Sequence, residues 1–278
     1  MTTITHRPYR GPIRAVILDW AGTAVDHGSF APTAVFVRLF AERGVPITVE
    51  DARAGMGLMK KEHLRAILAR PAVAAAWESV HGASPTAGDI KDLFARFVPL
   101  QLAVLADYAD PIPGLLEALA ELRERGLKIG STTGYLRSMM DVLAPAAAVR
   151  GYAPDCLVCS DDVPAGRPAP WMCFLNAMRL GVYPMAALVK VGDTPVDMEE
   201  GLNAGMWTVG VTLTGSPLGL TAAEVAALTP QERADAHARI GGQLLAAGAH
   251  LVIEGVRDLP GAIDALEARL HRGETPLT

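Results

Sequence analysis

The stretch RAVILDWAGTAVDHG, residues 14–28, carries the pattern that decides the fold class of this chain. It joins a short β-rich run to a glycine-containing loop, and Asp19 stands where the two meet. A carboxylate at the carboxyl end of a strand can project into the crevice where open α/β sheets bind ligands, and the loop amides can surround an anion. Asp19 is therefore a candidate site residue. The alternative is a loop aspartate that only caps the next turn.

Five further β-rich runs follow, with turn signals and helical patterns between them. They are LKIGST (127–132), CLVCS (156–160), ALVKVGD (187–193), WTVGVT (207–212) and HLVIEG (250–255). Continuous apolar strands that alternate with helices are typical of a parallel sheet covered on both faces. The sequence predicts an α/β fold, a doubly wound Rossmann-like parallel sheet.

Residues 27–105 break this alternation, because they show helical patterns and no convincing strand. A helical module inserted between the first two strands would lie over the carboxyl ends of the sheet, where ligands bind. We predict an α/β core domain made of residues 1–26 and 106–278, with an α-helical cap domain at 27–105.

The composition narrows the function classes. The chain has 278 residues, half of them apolar, and a net charge of −5 with no block of like charges. Nothing in it predicts the basic face that is typical of nucleic-acid binding. No apolar run reaches the roughly 18–20 residues that span a bilayer, so we expect no membrane segment. The N-terminal segment has no apolar core, so we expect no signal peptide. Three cysteines without a disulfide framework indicate a cytoplasmic setting.

Two of these cysteines, Cys156 and Cys159, form a CxxC pair. A redox or zinc role is one interpretation, but no second pair exists to complete a tetrahedral site. We favour the other, in which both are small apolar residues of a buried strand.

Polar groups also follow the later strands. Asp193 and Asp197 in GDTPVD suit Mg²⁺, which takes oxygen ligands, although Asp193 could instead N-cap a helix at 195–204. The hydroxyls and amides of STTGY (131–135) can hold phosphate oxygens. Arg167 in AGRPAPW offers a planar fork for phosphate, with a surface arginine as the alternative.

The order of these groups resembles that of the four motifs of the haloacid dehalogenase superfamily. They are an aspartate, a threonine, a cation and an aspartate, at four successive strand ends. The resemblance implies that the first aspartate attacks phosphorus and forms an aspartyl phosphate, while metal and cation neutralise the phosphoryl oxygens. Two residues depart from the pattern of its phosphatases. Ala21 replaces the aspartate that protonates the leaving oxygen, although its carbonyl can still face the metal. The third-motif cation, usually lysine, is Arg167.

The cap segment AGMGLMKKEHLRAIL (54–68) offers a reason for the missing acid. Met56, Met59, Lys60 and His63 are spaced to share one helix face, with Lys60 inside an apolar stripe. Lys60 could simply extend its ammonium into water. A buried lysine, however, loses its proton more easily and can condense with an aldehyde. The iminium then accepts the electron pair of a breaking C–P bond, and this leaving group needs no alkoxide-type acid.

Longer segments are similar to the phosphonoacetaldehyde hydrolase (phosphonatase) family of that superfamily. They are AVILDWAGTAVDHGSFAP (15–32), MGLMKKEH (56–63), IGSTTGY (129–135), DDVPAGRPAPWMC (161–173), KVGDTPVDMEEGLNAGMWTVGV (190–211) and LGLTAAEV (218–225). The resemblance implies hydrolysis of phosphonoacetaldehyde to acetaldehyde and phosphate, within the degradation of 2-aminoethylphosphonate. It also implies a homodimer joined through the cap.

The resemblance assigns the site residues as follows. Asp19 is the nucleophile and Lys60 forms the Schiff base. One Mg²⁺ per subunit is held by Asp19, the Ala21 carbonyl and Asp193, and Asp197 supports these ligands without binding the ion itself. The substrate-binding residues are Met56, His63, Thr133, Tyr135 and Arg167. Ala24, His27 and Ser29 differ from some relatives, and we interpret His27 as a solvated loop residue.

Two other functions remain open at this point. A phosphomonoesterase of the same fold would keep Asp19 and Asp193 without depending on Lys60, and Ala21 argues against it. A non-catalytic protein would bind Mg²⁺ and phosphonate without turnover, and the intact acidic residues argue against that.

Overall fold

A computed structural model describes residues 9–277, and these residues form a parallel six-stranded sheet. The strands are β1 (Ala15–Leu18), β2 (Lys128–Thr133), β3 (Cys156–Cys159), β4 (Leu188–Gly192), β5 (Trp207–Val211) and β6 (Leu251–Ile253). They lie in the order β3-β2-β1-β4-β5-β6, so the chain reverses direction across the sheet beside the central strand β1. Each strand overlaps the segment predicted for it. The predicted doubly wound α/β fold is confirmed.

Helices connect these strands. Before β2 they are α1 (Phe30–Glu42), α2 (Val49–Arg53), α3 (Lys60–Leu68), α4 (Pro71–His81), α5 (Ala87–Leu102) and α6 (Leu115–Glu124). After β2 they are α7 (Arg137–Val149), α8 (Trp171–Leu180), α9 (Pro195–Asn203), α10 (Ala222–Ala227), α11 (Pro230–Ala246) and α12 (Leu259–His271). Residues 1–8 lie outside the described range, and the expectation about a signal peptide falls partly on them. Thr278, the last residue of the predicted core domain, lies outside it too.

The sheet is covered on both faces, as the apolar strands predicted. Successive side chains of a strand point to opposite faces. Val16 and Leu18 of β1 accordingly join a large apolar cluster that contains residues of α6, α7 and α12. Ala15 and Ile17 join a second cluster that contains residues of α8. This double burial places the carboxyl end of β1 in the interior of the protein.

The segment 27–105 is helical wherever it has regular structure, and it contains helices α1 to α5. Apolar and aromatic side chains pack between these helices. The Phe36 ring of α1, for example, stacks on the Phe97 ring of α5 with ring centroids 4.5 Å apart. Helices α2 and α5 begin at threonines whose hydroxyls accept hydrogen bonds from the amides of Asp51 and Asp89. Such caps satisfy amides that have no partner within the helix. Among residues 9–277, no helix has the length and apolar character needed to cross a membrane.

Candidate active site

The carboxyl ends of β1 and β4 bring Asp19 and Asp193 together. Both side chains are buried, with 6% and 1% of their surfaces exposed. Asp193 Oδ2 accepts hydrogen bonds from the Ser216 amide at 2.8 Å and from its hydroxyl at 3.0 Å. Carboxylate oxygens of Asp19, Asp193 and Asp197 all lie within 4.8 Å of one another. This spacing matches a site for a small divalent cation with oxygen ligands.

Asp197 has partners other than the other two aspartates. One oxygen accepts hydrogen bonds from the amide and hydroxyl of Thr194, at 3.2 and 2.5 Å. The other lies 2.9 Å from Arg167 Nη1 and 3.0 Å from Lys190 Nζ. Thr194, not Asp193, is the N-cap of α9. The alternative that Asp193 caps this helix is therefore wrong, because the capping contacts belong to Thr194 and Asp197.

Arg167 lies at the centre of a buried ion network, and its side chain has no exposed surface. The interpretation as a surface arginine is therefore wrong. Its Nη2 donates to Asp19 Oδ1 at 2.7 Å and to the Thr132 hydroxyl at 2.8 Å, while its Nε donates to Glu200 Oε2 at 2.9 Å. These three hydrogen bonds and the ion pair with Asp197 fix the orientation of the guanidinium beside Asp19.

Lys190 and Glu200 complete this network, and they were missed from the sequence. Lys190 Nζ donates to the Thr132 hydroxyl at 2.7 Å and lies 3.1 Å from Glu200 Oε2. A lysine inside the continuous apolar strand ALVKVGD was a usable signal, because a charge there must find a partner. Glu200 gave no comparable signal, since helices expose glutamate routinely.

The charges of this buried group fit a divalent cation. It contains two cations and four carboxylates, namely Arg167, Lys190, Asp19, Asp193, Asp197 and Glu200. When all six are ionised, two negative charges remain uncompensated. Burial and the charges of Asp19 and Asp197 raise the pKa of Asp193 to about 8. A cation bound at the three aspartates would stabilise their ionised forms.

Lys60 is the first residue of α3, and only 5% of its surface is exposed. Its ammonium lies 4.7 Å from the centroid of the Tyr135 ring. Burial lowers the pKa of Lys60 to about 8, with Arg167 adding to the effect and Asp19 and Asp26 opposing it. The amine is therefore far easier to deprotonate than an exposed lysine.

A small cavity joins the cap lysine to the strand ends. Its volume is about 20 Å³, and its lining includes most predicted site residues: Asp19, Ala21, Met56, Lys60, Thr133, Tyr135, Arg167 and Asp193. About one water-sized sphere fits in such a space. A larger groove of about 750 Å³, lined by apolar residues of α8 such as Trp171 and Phe174, contains none of these residues.

Met56 and Met59 do not share a helix face with Lys60 and His63, contrary to the prediction. Helix α3 begins at Lys60, so Met56 and Met59 precede it. Gly55 and Gly57 adopt φ of 85° and 88°, a left-handed conformation that interrupts helical geometry. The predicted continuous helical stripe is wrong in this part. Met56 still reaches the cavity, because the loop turns back toward it.

His63 lies beneath the site and is fully buried. Its ring is 4.2 Å from the Phe36 ring, and Nε2 lies 2.8 Å from the Ala52 carbonyl oxygen. Burial lowers the pKa of His63 to about 3, so the imidazole is neutral. Nε2 must then carry the proton, and Nδ1 is a buried acceptor without a hydrogen-bond partner among the described residues.

The remaining predictions concern residues beside the site. Cys156 and Cys159 are both buried on β3, and burial raises the pKa of Cys159 to about 12, as expected for apolar strand residues. His27 is half-buried, and its Nδ1 lies 2.8 Å from the Leu220 carbonyl oxygen. His27 is thus partly solvated, as a loop residue, and the Leu220 carbonyl contacts one side of its ring. Ala24 and Ser29 are buried.

Comparison with known proteins agrees with this architecture. A family model described as haloacid dehalogenase-like hydrolase matches residues 13–205. A phosphonoacetaldehyde hydrolase-like protein of Syntrophobacter fumaroxidans is 53% identical over 97% of both chains. A phosphonoacetaldehyde hydrolase of Nitratidesulfovibrio vulgaris is 52% identical over 97% of this chain and 96% of its own.

A solved structure shows the same likeness in three dimensions. The phosphonoacetaldehyde hydrolase-like protein from Oleispira antarctica superposes with a TM-score of 0.96 and 40% identity, over 99% of this chain and all of the other. Both the sequences and the folds match over nearly their full lengths. The chain therefore belongs to the haloacid dehalogenase-like hydrolases and, within them, to the phosphonoacetaldehyde hydrolase family.

Proposed function

We propose that the protein hydrolyses phosphonoacetaldehyde to acetaldehyde and phosphate, through a Schiff base on Lys60 and an aspartyl phosphate on Asp19. One observation carries the proposal. A buried lysine with a lowered pKa lines the same cavity as the Asp19 carboxylate, and Ala21 stands where an acid would be. An amine is needed to cleave a C–P bond through an imine, whereas a phosphomonoesterase needs the acid.

The reaction begins with substrate binding. The phosphonate would contact Thr133 and Arg167, and the aldehyde would face Lys60 beside Met56 and Tyr135. The neutral amine of Lys60 attacks the carbonyl carbon and forms the imine with loss of water. Nδ1 of the buried neutral His63 is an acceptor in the helical turn after Lys60, and we propose that it helps to orient the amine.

Phosphoryl transfer follows. The imine first takes up a proton and becomes an iminium ion. Asp19 then attacks phosphorus, the C–P bond breaks, and its electron pair forms the C=C bond of an enamine while the C=N pair moves onto the Lys60 nitrogen. Water then hydrolyses the aspartyl phosphate and releases phosphate. The enamine is protonated on carbon, and hydrolysis of the resulting imine releases acetaldehyde and the free lysine. No step requires a proton for a leaving alkoxide, which accords with Ala21.

We propose that one Mg²⁺ is held by Asp19, the Ala21 carbonyl and Asp193, with Asp197 supporting them. The three carboxylates and the two uncompensated charges fit such an ion. When bound, Mg²⁺ supplies positive charge that favours attack by one anion on another. Asp197 is suited to a supporting role because Arg167, Lys190 and Thr194 already occupy its oxygens.

The 27–105 segment would act as a cap domain over a core made of residues 1–26 and 106–278. The cavity of about 20 Å³ is too small for the substrate, so the cap must open to admit it. Closure would then exclude water from the imine and from Asp19 during transfer.

We also propose a homodimer joined through the cap, a cytoplasmic location, and a place in 2-aminoethylphosphonate degradation. The cap carries exposed apolar side chains, including Val49 and Val80, which are half exposed. Light scattering that finds only monomers at working concentration would overturn the dimer proposal.

The function is tested with phosphonoacetaldehyde and Mg²⁺, by following phosphate and acetaldehyde together. The substitution Lys60→Arg keeps the charge but removes imine formation, and Lys61→Arg is the matched control on the exposed neighbour. We expect equal release of both products by the wild type and the control, and none by Lys60→Arg. Full-rate C–P cleavage by Lys60→Arg would refute the mechanism. Cleavage of an aryl phosphate without C–P cleavage would instead indicate a phosphomonoesterase.

A further inference from the structure

The residue before Lys60 contacts the residue before Arg167. Met59, at the end of the cap loop, accepts a hydrogen bond at its Sδ from the Gly166 amide, at an N–S distance of 3.2 Å. A Cβ placed on Gly166 would lie only 2.4 Å from Met59 Cγ and 2.9 Å from Sδ. The thioether therefore occupies the space that any other residue at position 166 would fill.

A second close contact lies beside the first. A Cβ on Gly134 would lie 2.7 Å from the Leu58 carbonyl oxygen and 3.1 Å from that of Gly57. Gly134 directly follows Thr133, which lines the cavity. The cap loop thus touches the core at glycines next to both residues proposed to hold the phosphonate.

The two sides of the Met59 contact differ in how firmly they are held. Arg167 is fixed by its bonds to Asp19, Glu200 and Thr132, whereas Met59 lies in the loop that precedes α3. Any displacement at this contact will therefore fall on the cap side. Because Lys60 is the next residue, its amine would move with Met59.

We infer that Met59 is a positioning residue, and that its contact with Gly166 sets the position of Lys60 relative to Arg167 and Asp19 when the cap is closed. The inference rests on the proposed function, in which Lys60 holds the aldehyde while Asp19 attacks phosphorus. In this reaction the aldehyde end of the substrate must lie at Lys60 while its phosphonate end lies at Asp19. A misplacement of about 1 Å can lower a rate about a hundredfold.

The test is a double-mutant cycle of Gly166→Ala and Met59→Ala, measured by kcat for phosphonoacetaldehyde. The φ angle of Gly166 lies outside the left-handed region, so the backbone conformation permits alanine and only the steric clash with Met59 disfavours it. We expect Gly166→Ala to lower kcat about tenfold to a hundredfold in the wild-type background. In the Met59→Ala background, where the space is free, the same change should cost less than about twofold. Gly242→Ala, where no atom lies near the added Cβ, is the control and should leave kcat unchanged.

A second measurement separates positioning from general damage. The inhibition constant of phosphate reports binding at Thr133 and Arg167, and we expect it to stay within about threefold in every variant, because the core side is fixed. The inference is overturned if Gly166→Ala costs the same factor in both backgrounds, or costs nothing in the wild type. It is also overturned if phosphate binding weakens as much as kcat falls. Failure of the proposed function looks different, since the wild type itself would then form no borohydride-trapped adduct on Lys60.

Discussion

Raising the pH from 6 to 9 is expected to increase the rate at which Lys60 is trapped by an aldehyde and borohydride, and this rate should approach a plateau near pH 9. Only the neutral amine attacks the carbonyl. The burial of Lys60, which lowers its pKa to about 8, therefore sets the pH range of the response.

The magnitude follows from that pKa. At pH 7, a pKa of about 8 leaves about one amine in eleven neutral, whereas an ordinary pKa of 10.5 leaves about one in three thousand. The position of Lys60 thus raises the reactive fraction about 300-fold, which corresponds to about 3 kcal/mol. Between pH 6 and pH 7 the rate should rise about ninefold, and between pH 8 and pH 9 less than twofold.

Acetaldehyde is the suitable trapping reagent, because it does not ionise in this range and the response then reports the protein. Peptides are mapped by mass after brief exposure at each pH. Labelling of the exposed neighbour Lys61 in the same peptide region reports the unspecific reaction. A rate at Lys60 that keeps rising tenfold per pH step up to pH 10 would refute the reasoning, since it would describe an ordinary lysine.

Three further predictions concern stability and the metal site. Lys60→Met should raise the free energy of unfolding by up to about 3 kcal/mol below pH 8, where Lys60 is charged in both the folded and the unfolded state. This gain should decrease between pH 8 and pH 10.5, where the folded state has already lost the Lys60 proton and the unfolded state loses it too. Urea unfolding at several pH values measures the gain. Mg²⁺ should raise the melting temperature of the wild type but not of Asp193→Asn, and a chelator should abolish turnover, because the ion compensates buried carboxylates. Lys190→Met should cost about 3–5 kcal/mol in urea unfolding, because it leaves buried carboxylates unpaired, whereas Arg38→Met at an exposed ion pair should have little effect.

A network of buried ion pairs supports the carboxylates of the site. Arg167 and Lys190 both contact Asp197 and Glu200. The Thr132 hydroxyl accepts hydrogen bonds from both cations and donates one to Glu200. Each of these four charged groups faces opposite charge in a medium of low dielectric constant, although Glu200 Oε1 has no hydrogen-bond partner among the described residues. Arg167 links Asp19 to this network through a hydrogen bond of 2.7 Å.

Much of this protein was determined by local sequence. The six strands were predicted because β-rich runs between turn signals are a local pattern. Asp19, Thr133 and Asp193 were predicted because parallel strands bring their carboxyl ends to one edge of the sheet, so position along the chain implies proximity in space.

Only the tertiary structure decided the rest. The spacing predicted that Met56 lies on the same helix face as Lys60. Gly55 and Gly57 instead adopt left-handed conformations that interrupt the helix, and α3 begins only at Lys60. The burial that lowers the pKa of Lys60 depends on residues from the cap segment and from four strand ends, and no local stretch of sequence contains them all. Glu200 joins Arg167 across 33 positions of the chain for the same reason. Desolvation and Coulomb fields are summed over distance in space, whereas a sequence pattern records only distance along the chain.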